Sequence, residues 1–131
     1  MSDKTHLDIF LVEDDNFFKE MFAYHFSNLK DVKITTFENG EDCITNLLID
    51  PDMVILDYIL SLEDVYALNG LEVLMKVKEF NRKTTVVMMS AEDNEEISNK
   101  ALDAGADYFI AKDEHAFSKM EKLLYDRLAD L

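Results

Sequence analysis

The sequence has 131 residues, a length typical of one domain. Apolar residues make up 48% of it, which is enough for a substantial core without disulfides or a structural metal. The 13 basic and 28 acidic residues give a net charge of −15, and so acidic a surface repels nucleic-acid phosphates and anionic membranes. We therefore expect neither nucleic acid nor a membrane as a partner.

The features that report on compartment all favour the cytoplasm. The single cysteine, Cys43, cannot form an internal disulfide, and no Cys/His cluster has the spacing of zinc ligands. Residues 1–13 end in acids and do not resemble a signal peptide. No apolar run approaches the ~18 residues that a membrane span needs. We expect a soluble cytoplasmic protein.

Short β-type runs alternate with helical patterns along the whole chain. This alternation predicts an α/β fold, in which a parallel sheet is covered by helices on both faces. The strands at 53–56 and 84–89 are continuous apolar runs, as expected for burial on both sides. In chain order, the predicted elements are a strand at residues 7–12, a helix at 16–29, a strand at 32–37, a helix at 40–49, a strand at 53–56, a helix at 71–80, a strand at 84–89, a helix at 95–104, a strand at 108–111 and a helix at 117–131.

Polar residues stand at the ends of four predicted strands. Glu13 and Asp14 follow the first strand, Asp57 the third, Ser90 the fourth and Lys112 the fifth. The carboxyl ends of parallel strands form the binding crevice of such sheets, so neighbouring first and third strands would bring several carboxylates together. Such a cluster cannot stay fully ionised without help, and Mg²⁺ prefers oxygen ligands of this kind.

The two remaining polar strand ends indicate phosphate chemistry. Lys112 and a metal ion would neutralise the charge of a phosphoryl group, and the hydroxyl of Ser90 would donate a hydrogen bond to it. The nucleophile would then be a carboxylate, as in aspartyl-phosphate chemistry. The strand ends therefore predict a metal-assisted phosphoryl-transfer site.

The segments LVEDD, VILD, MMSA and IAKD, in this order and spacing, resemble the motifs of the receiver domain of two-component response regulators. The resemblance covers essentially the whole chain. It implies a flavodoxin-like (βα)5 fold, with a doubly wound, parallel, five-stranded sheet in the strand order 2-1-3-4-5. Because the chain ends at the fifth helix, we expect residues 1–131 to form a single stand-alone receiver domain with no output domain.

The resemblance also implies which residues hold the metal and accept the phosphoryl group. Asp57 resembles the phosphoacceptor. Asp14 resembles the acid that binds Mg²⁺ directly, and Glu13 its partner. The backbone carbonyl of Ile59 resembles a further metal ligand.

Three further positions match the family's catalytic and switch residues. Lys112 resembles the catalytic lysine, and Ser90 the hydroxyl residue that senses the phosphoryl group. Phe109 stands at the aromatic switch position, which implies that it changes its packing together with Ser90 and remodels the face of helix 4, strand 5 and helix 5. Simpler interpretations remain, in which Ser90 caps the fourth helix and Phe109 is a core aromatic, while Asp15 is expected to cap the first helix.

Two features depart from the family pattern. The family has a glycine a short distance after the phosphoacceptor, and the matching Gly70 lies farther from Asp57 than is usual. The segment at 60–69 therefore contains an insertion of about five residues. The insertion could shield the phosphoryl group, dock a partner or only lengthen a surface loop. The family often has a proline after the lysine, joined to it by a cis peptide bond, whereas Lys112 is followed by Asp113. Because Asp113 is not a proline, the Lys112–Asp113 bond is expected to be trans.

The leading hypothesis is a phosphorylatable switch. A histidine kinase or phosphotransfer protein would phosphorylate Asp57 in the presence of Mg²⁺, and the signal would pass to a protein target or along a phosphorelay by a population shift. The chain would not be an enzyme beyond its own phosphorylation and dephosphorylation. One alternative is a receiver-like adaptor that takes no phosphate. Another is a phosphohydrolase with an aspartate nucleophile. Such enzymes often have a second Asp at the position that Ile59 occupies in this chain, which argues against the second alternative.

Overall fold

Strands and helices alternate along the described part of the chain in the predicted order. The computed structural model describes residues 5–60, 68–92 and 94–131. Most of the predicted insertion, at residues 61–67, lies outside the described residues. The elements are β1 Leu7–Val12, α1 Asn16–Phe26, β2 Val32–Phe37, α2 Gly40–Thr45, a 3-10 turn at Leu47–Ile49, β3 Met53–Asp57, α3 Gly70–Phe80, β4 Thr85–Ser90, α4 Glu95–Asp103, β5 Tyr108–Ala111 and α5 Ala116–Ala129.

The five strands form one parallel sheet in the order β2-β1-β3-β4-β5, which confirms the expected topology. In the register of β1 and β3, Val12 lies opposite Leu56, so the residues after Val12 stand beside the end of β3. Ser90 at the end of β4 lies opposite Ala111, and Lys112 comes next. The carboxyl ends of β1, β3, β4 and β5 therefore meet at one edge of the sheet.

Two apolar layers cover the sheet. Alternate residues of the central strands face opposite sides, so that Val54 and Leu56 join the layer beneath α2, α3 and α4, while Met53 and Ile55 join the layer beneath α1 and α5. This arrangement explains why the central strands read as unbroken apolar runs. No helix in the described part of the chain has both the length and the apolar character needed to cross a bilayer.

The largest differences from the predicted helices are at α1 and α2, which end three and four residues early because polar side chains compete for backbone groups. The first helix was expected to reach residue 29, but the hydroxyl of Ser27 donates to the carbonyl of Tyr24 at 2.9 Å and the helix has already ended. The helix predicted at 40–49 stops where the side-chain amide of Asn46 donates to the carbonyl of Asp42 at 2.7 Å. The chain then continues as the 3-10 turn Leu47–Ile49.

The caps of α1 and α4 settle two of the alternatives. The Asp15 carboxylate accepts hydrogen bonds from the amides of Phe17 and Phe18, at 2.9 and 3.3 Å, so Asp15 is the N-cap of α1, as predicted. Asn94 caps α4. The alternative in which Ser90 caps that helix is therefore wrong.

Candidate functional site

Three carboxylates converge at the edge of the sheet where β1 and β3 end. One oxygen atom from each of Glu13, Asp14 and Asp57 lies within 4.8 Å of the other two. Glu13 is almost completely buried at 1% exposure, whereas Asp14 is exposed. The pairing of β1 with β3 produces this cluster, because it places the residues after Val12 next to the last residue of β3. The convergence expected from the sequence is confirmed.

Lys112 places one positive charge against two of these acids. Its ammonium group forms ion pairs with Glu13 Oε1 and with Asp57 Oδ2, the latter at 3.2 Å. The backbone positions it, because the Lys112 amide donates to the Ser90 carbonyl at 2.8 Å and so extends the pairing of β4 and β5. Its side chain is only 15% exposed. The lysine is thus held at the acidic cluster by both strand pairing and charge.

Glu13 and Lys112 both hold their protons more tightly than usual at this edge. The pKa of Glu13 rises from 4.5 to about 8, because the carboxylate is buried and because it hydrogen-bonds to Asp57, and the attraction of Lys112 does not offset these effects. Burial alone would lower the pKa of Lys112, but its hydrogen bond to Glu13 and the charge of Asp57 outweigh burial and raise it. One ammonium group is too little charge for three carboxylates.

The donor set fits a small, hard, divalent cation. All the grouped ligands are carboxylate oxygens, which Mg²⁺ prefers, and exposed Asp14 leaves the site open to solvent and to a substrate. The excess negative charge is what such an ion would neutralise. Glu13, Asp14 and Asp57 are therefore the residues able to hold it.

The loop after β3 folds back on Asp57. The Ile59 amide donates to Asp57 Oδ1 at 3.2 Å, and the Tyr58 amide donates to the Met89 carbonyl at 2.7 Å. The first bond orients the Asp57 carboxylate, and the second anchors the backbone of the loop to β4. They also place Ile59 beside the cluster, where its carbonyl was expected as a metal ligand, a role that stays a prediction.

Gly70, whose place in the sequence indicates only the length of the loop after Asp57, is a further site residue. A Cβ atom at this position would lie 2.4 Å from the carbonyl oxygen of Asp57 and 2.9 Å from that of Tyr58. The Gly70 amide donates to the same Tyr58 carbonyl at 3.3 Å. Only glycine allows the start of α3 to approach the backbone of Asp57 this closely. The signal for this role in the sequence was that Gly70 directly follows Asn69, the N-cap of α3.

Ser90 and Phe109 lie where the resemblance placed them. Ser90 is buried at the end of β4, and its hydroxyl accepts a hydrogen bond from the Glu92 amide at 3.1 Å. Phe109 lies opposite Met88 on β5, is half-buried and packs against the apolar layer beneath α4. This packing agrees with the plain core interpretation of Phe109, and its switch role stays a prediction. All described peptide bonds are trans, including Lys112–Asp113.

The family model for the response regulator receiver domain matches residues 9–124. Chemotaxis protein CheY of Halobacterium salinarum is 28% identical over 105 residues, covering 79% of this chain and 82% of CheY. The nitrate/nitrite response regulator protein NarL of Escherichia coli is 30% identical over 115 residues, 86% of this chain and 51% of NarL. A cyclic di-GMP phosphodiesterase of Thermotoga maritima is 32% identical over 104 residues, 79% of this chain. The chain spans 26% of that protein, so the activity in its name describes a much longer molecule.

Solved structures support the same fold. The signal receiver domain of a putative Luxo repressor protein from Vibrio parahaemolyticus has a TM-score of 0.78 and 21% identity, with 95% of this chain and 93% of that chain covered. The BeF3-activated DrrB receiver domain has a TM-score of 0.75 and 24% identity, with 96% and 99% covered. With the family match over residues 9–124, these findings show that the chain belongs to the response regulator receiver domain family of two-component signalling.

Proposed function

We propose that the chain is a phosphorylatable switch in which Asp57 accepts a phosphoryl group from a histidine kinase or a histidine phosphotransfer protein. The observation that supports this most directly is the placement of Asp57 between two further acids and Lys112, whose Nζ lies 3.2 Å from Asp57 Oδ2. The proposal also rests on the family match. The chain's own chemistry would be limited to gaining and losing this group.

The transfer step is a displacement at phosphorus. A carboxylate oxygen of Asp57 attacks the phosphorus atom, the new O–P bond forms as the P–N bond of the phosphohistidine breaks, and the imidazole leaves with the electron pair and takes up a proton from water. Hydrolysis later replaces the O–P bond by attack of water, which releases phosphate and restores the carboxylate. The loop after β3 holds Asp57 in a fixed direction for both steps.

The surrounding residues stabilise the charge that develops on the phosphoryl oxygens. Lys112 already contacts Asp57 and can transfer this contact to a phosphoryl oxygen. The Ser90 hydroxyl accepts from the Glu92 amide, so its own hydrogen remains available to donate. Mg²⁺ bound by Glu13, Asp14, Asp57 and the Ile59 carbonyl would neutralise the phosphoryl oxygens.

We propose that the output passes through protein contact. Ser90 and Phe109 stand on β4 and β5, next to α4 and α5, and repacking of these two residues would alter the face that the partner reads. The partner would be a downstream protein target or the next member of a phosphorelay. Phosphorylation would act by changing the populations of two packings rather than by creating a new fold.

The test is incubation with phosphoramidate and Mg²⁺, read by intact mass. Wild type should gain one phosphoryl group, and Asp57→Asn should gain none. Asp15→Asn is the matched control, since it also changes an acid near the site but preserves an N-cap, and it should be labelled like wild type. Equal labelling of Asp57→Asn would remove Asp57 from its role. No labelling of wild type would favour the adaptor that takes no phosphate.

A further inference from the structure

The Lys112 ammonium contacts an aromatic ring as well as the two carboxylates. Its Nζ lies 4.5 Å from the centroid of the Phe18 ring, a distance at which the negative face of a benzene ring attracts a cation. Glu13 and Asp57 bind the same ammonium. Phe18 offers no lone pair that could compete with a phosphoryl oxygen for the lysine. The ring therefore stabilises the ammonium without taking the place of a phosphoryl oxygen.

Phe18 is itself held in place by aromatic packing. Its centroid lies 5.7 Å from that of Phe117 at the start of α5 and 6.3 Å from that of Phe22 one turn along α1. Phe22 is fully buried. A ring fixed by both helices restricts the position of whatever lies against its face. The aromatic cluster of Phe18, Phe22 and Phe117 therefore reaches the phosphorylation site through Phe18.

We propose that Phe18 is a positioning residue for phosphoryl transfer: it keeps the Lys112 ammonium desolvated and directed at Asp57, and acts on the reaction only through that lysine. This inference rests on the proposed function. It adds a residue of α1 to the site, although the sequence places Phe18 only among the apolar positions of a helix. A fixed lysine favours the transition state, where the charge on the phosphoryl oxygens is greatest, more than it favours donor binding.

The effect is measured as the rate of Asp57 phosphorylation by phosphoramidate with saturating Mg²⁺. Phe18→Leu keeps an apolar side chain but removes the ring, and should lower the maximal rate roughly 3- to 30-fold with little change in the donor concentration at half-maximal rate. Phe18→Tyr keeps the ring and should restore the rate. Phe10→Leu is the matched control, because Phe10 is buried in the other apolar layer, beneath α2, α3 and α4. It should reduce stability while leaving the rate close to that of wild type.

A double-mutant cycle distinguishes positioning from a general structural role. If Phe18 acts through the lysine, Phe18→Leu should have no further effect on the rate in a Lys112→Ala background. The same fold-loss in both backgrounds, or a Phe18→Leu rate equal to that of wild type, would overturn the proposal. Should Phe18→Leu fail to fold, Phe18→Met takes its place in the cycle and is read in the same way.

A second readout does not depend on phosphorylation. The ring should shift the NMR signals of the Lys112 ε-methylene protons upfield. Phe18→Leu should return these signals toward ordinary lysine values, whereas Phe10→Leu should not. Unchanged lysine signals in Phe18→Leu would refute the contact whether or not the chain takes phosphate. Absence of label on wild type, by contrast, refutes the proposed function, so the two failures are distinguishable.

Discussion

The buried carboxyl of Glu13 makes the stability of the metal-free protein depend on pH in an unusual direction. Most carboxyls in folded proteins have a lowered pKa and stabilise the fold as pH rises, but the pKa of Glu13 is raised from 4.5 to about 8. Between these two values the folded protein binds a proton that the unfolded chain has released. The stabilisation from Glu13 is therefore complete below about pH 4.5 and is lost as pH rises through about 8.

The size of this loss follows from the raised pKa. Each pKa unit is worth about 1.4 kcal/mol, so a rise from 4.5 to about 8 corresponds to a loss of a few kcal/mol from the free energy of unfolding. Glu13→Gln replaces the titrating carboxyl by a neutral group of the same shape and should remove this component. Added Mg²⁺ should stabilise wild type more at pH 8 than at pH 6, because the ion competes with the proton for Glu13.

Urea unfolding followed by circular dichroism, in EDTA at several pH values from 5 to about 8.5, measures the effect. The decisive quantity is the difference in slope between wild type and Glu13→Gln, since contributions from groups that do not contact Glu13 are common to both proteins and cancel. Glu20→Gln, which changes an exposed acid of α1, should keep the slope of wild type. Parallel curves for wild type and Glu13→Gln would refute the reasoning.

Three further outcomes follow from the structure. Gly70→Ala places a methyl group 2.4 Å from the Asp57 backbone carbonyl oxygen. It should lower the free energy of unfolding by about 1–3 kcal/mol and slow phosphorylation. In the control Gly40→Ala, the new methyl group meets the Val73 side chain, and the phosphorylation rate should stay near that of wild type. Asp15→Ala removes the cap of α1 and should cost about 1 kcal/mol in urea unfolding, and Asp15→Asn should recover most of it. Burial raises the pKa of the Cys43 thiol to about 12. An aromatic disulfide reagent should therefore label Cys43 only after the protein unfolds. Fast labelling of the folded protein would contradict the buried position.

The sheet was predictable because its signals lie within single segments. The bounds of β1, β2 and β5 match the prediction, β3 extends by one residue to include Asp57, and β4 lies one residue later than predicted and ends at Ser90. The convergence of polar strand ends then follows from parallel pairing and the expected strand order. Local polar competition was harder to foresee, since whether Asn46 bonds its own helix depends on the turn that follows.

The contacts that sequence reasoning missed are long-range. Nothing in the pattern of α1 indicates that Phe18, rather than another aromatic residue of the same helix, meets Lys112. Gly70 matches the family's glycine in the sequence, but its close approach to the Asp57 backbone is evident only in the fold. Both cases depend on distances between segments that are far apart in the chain, which periodicity and motif spacing do not encode.

The hydrogen bond between the Tyr58 carbonyl and the Gly70 amide has a consequence for how this protein can be altered. The bond joins the backbone on either side of the intervening segment, next to Asp57. Doubling the length of such a segment adds only about 0.6 kcal/mol of closure entropy. An epitope or a reporter peptide inserted between Tyr58 and Gly70, beside Asp57, should therefore lower the free energy of unfolding only slightly.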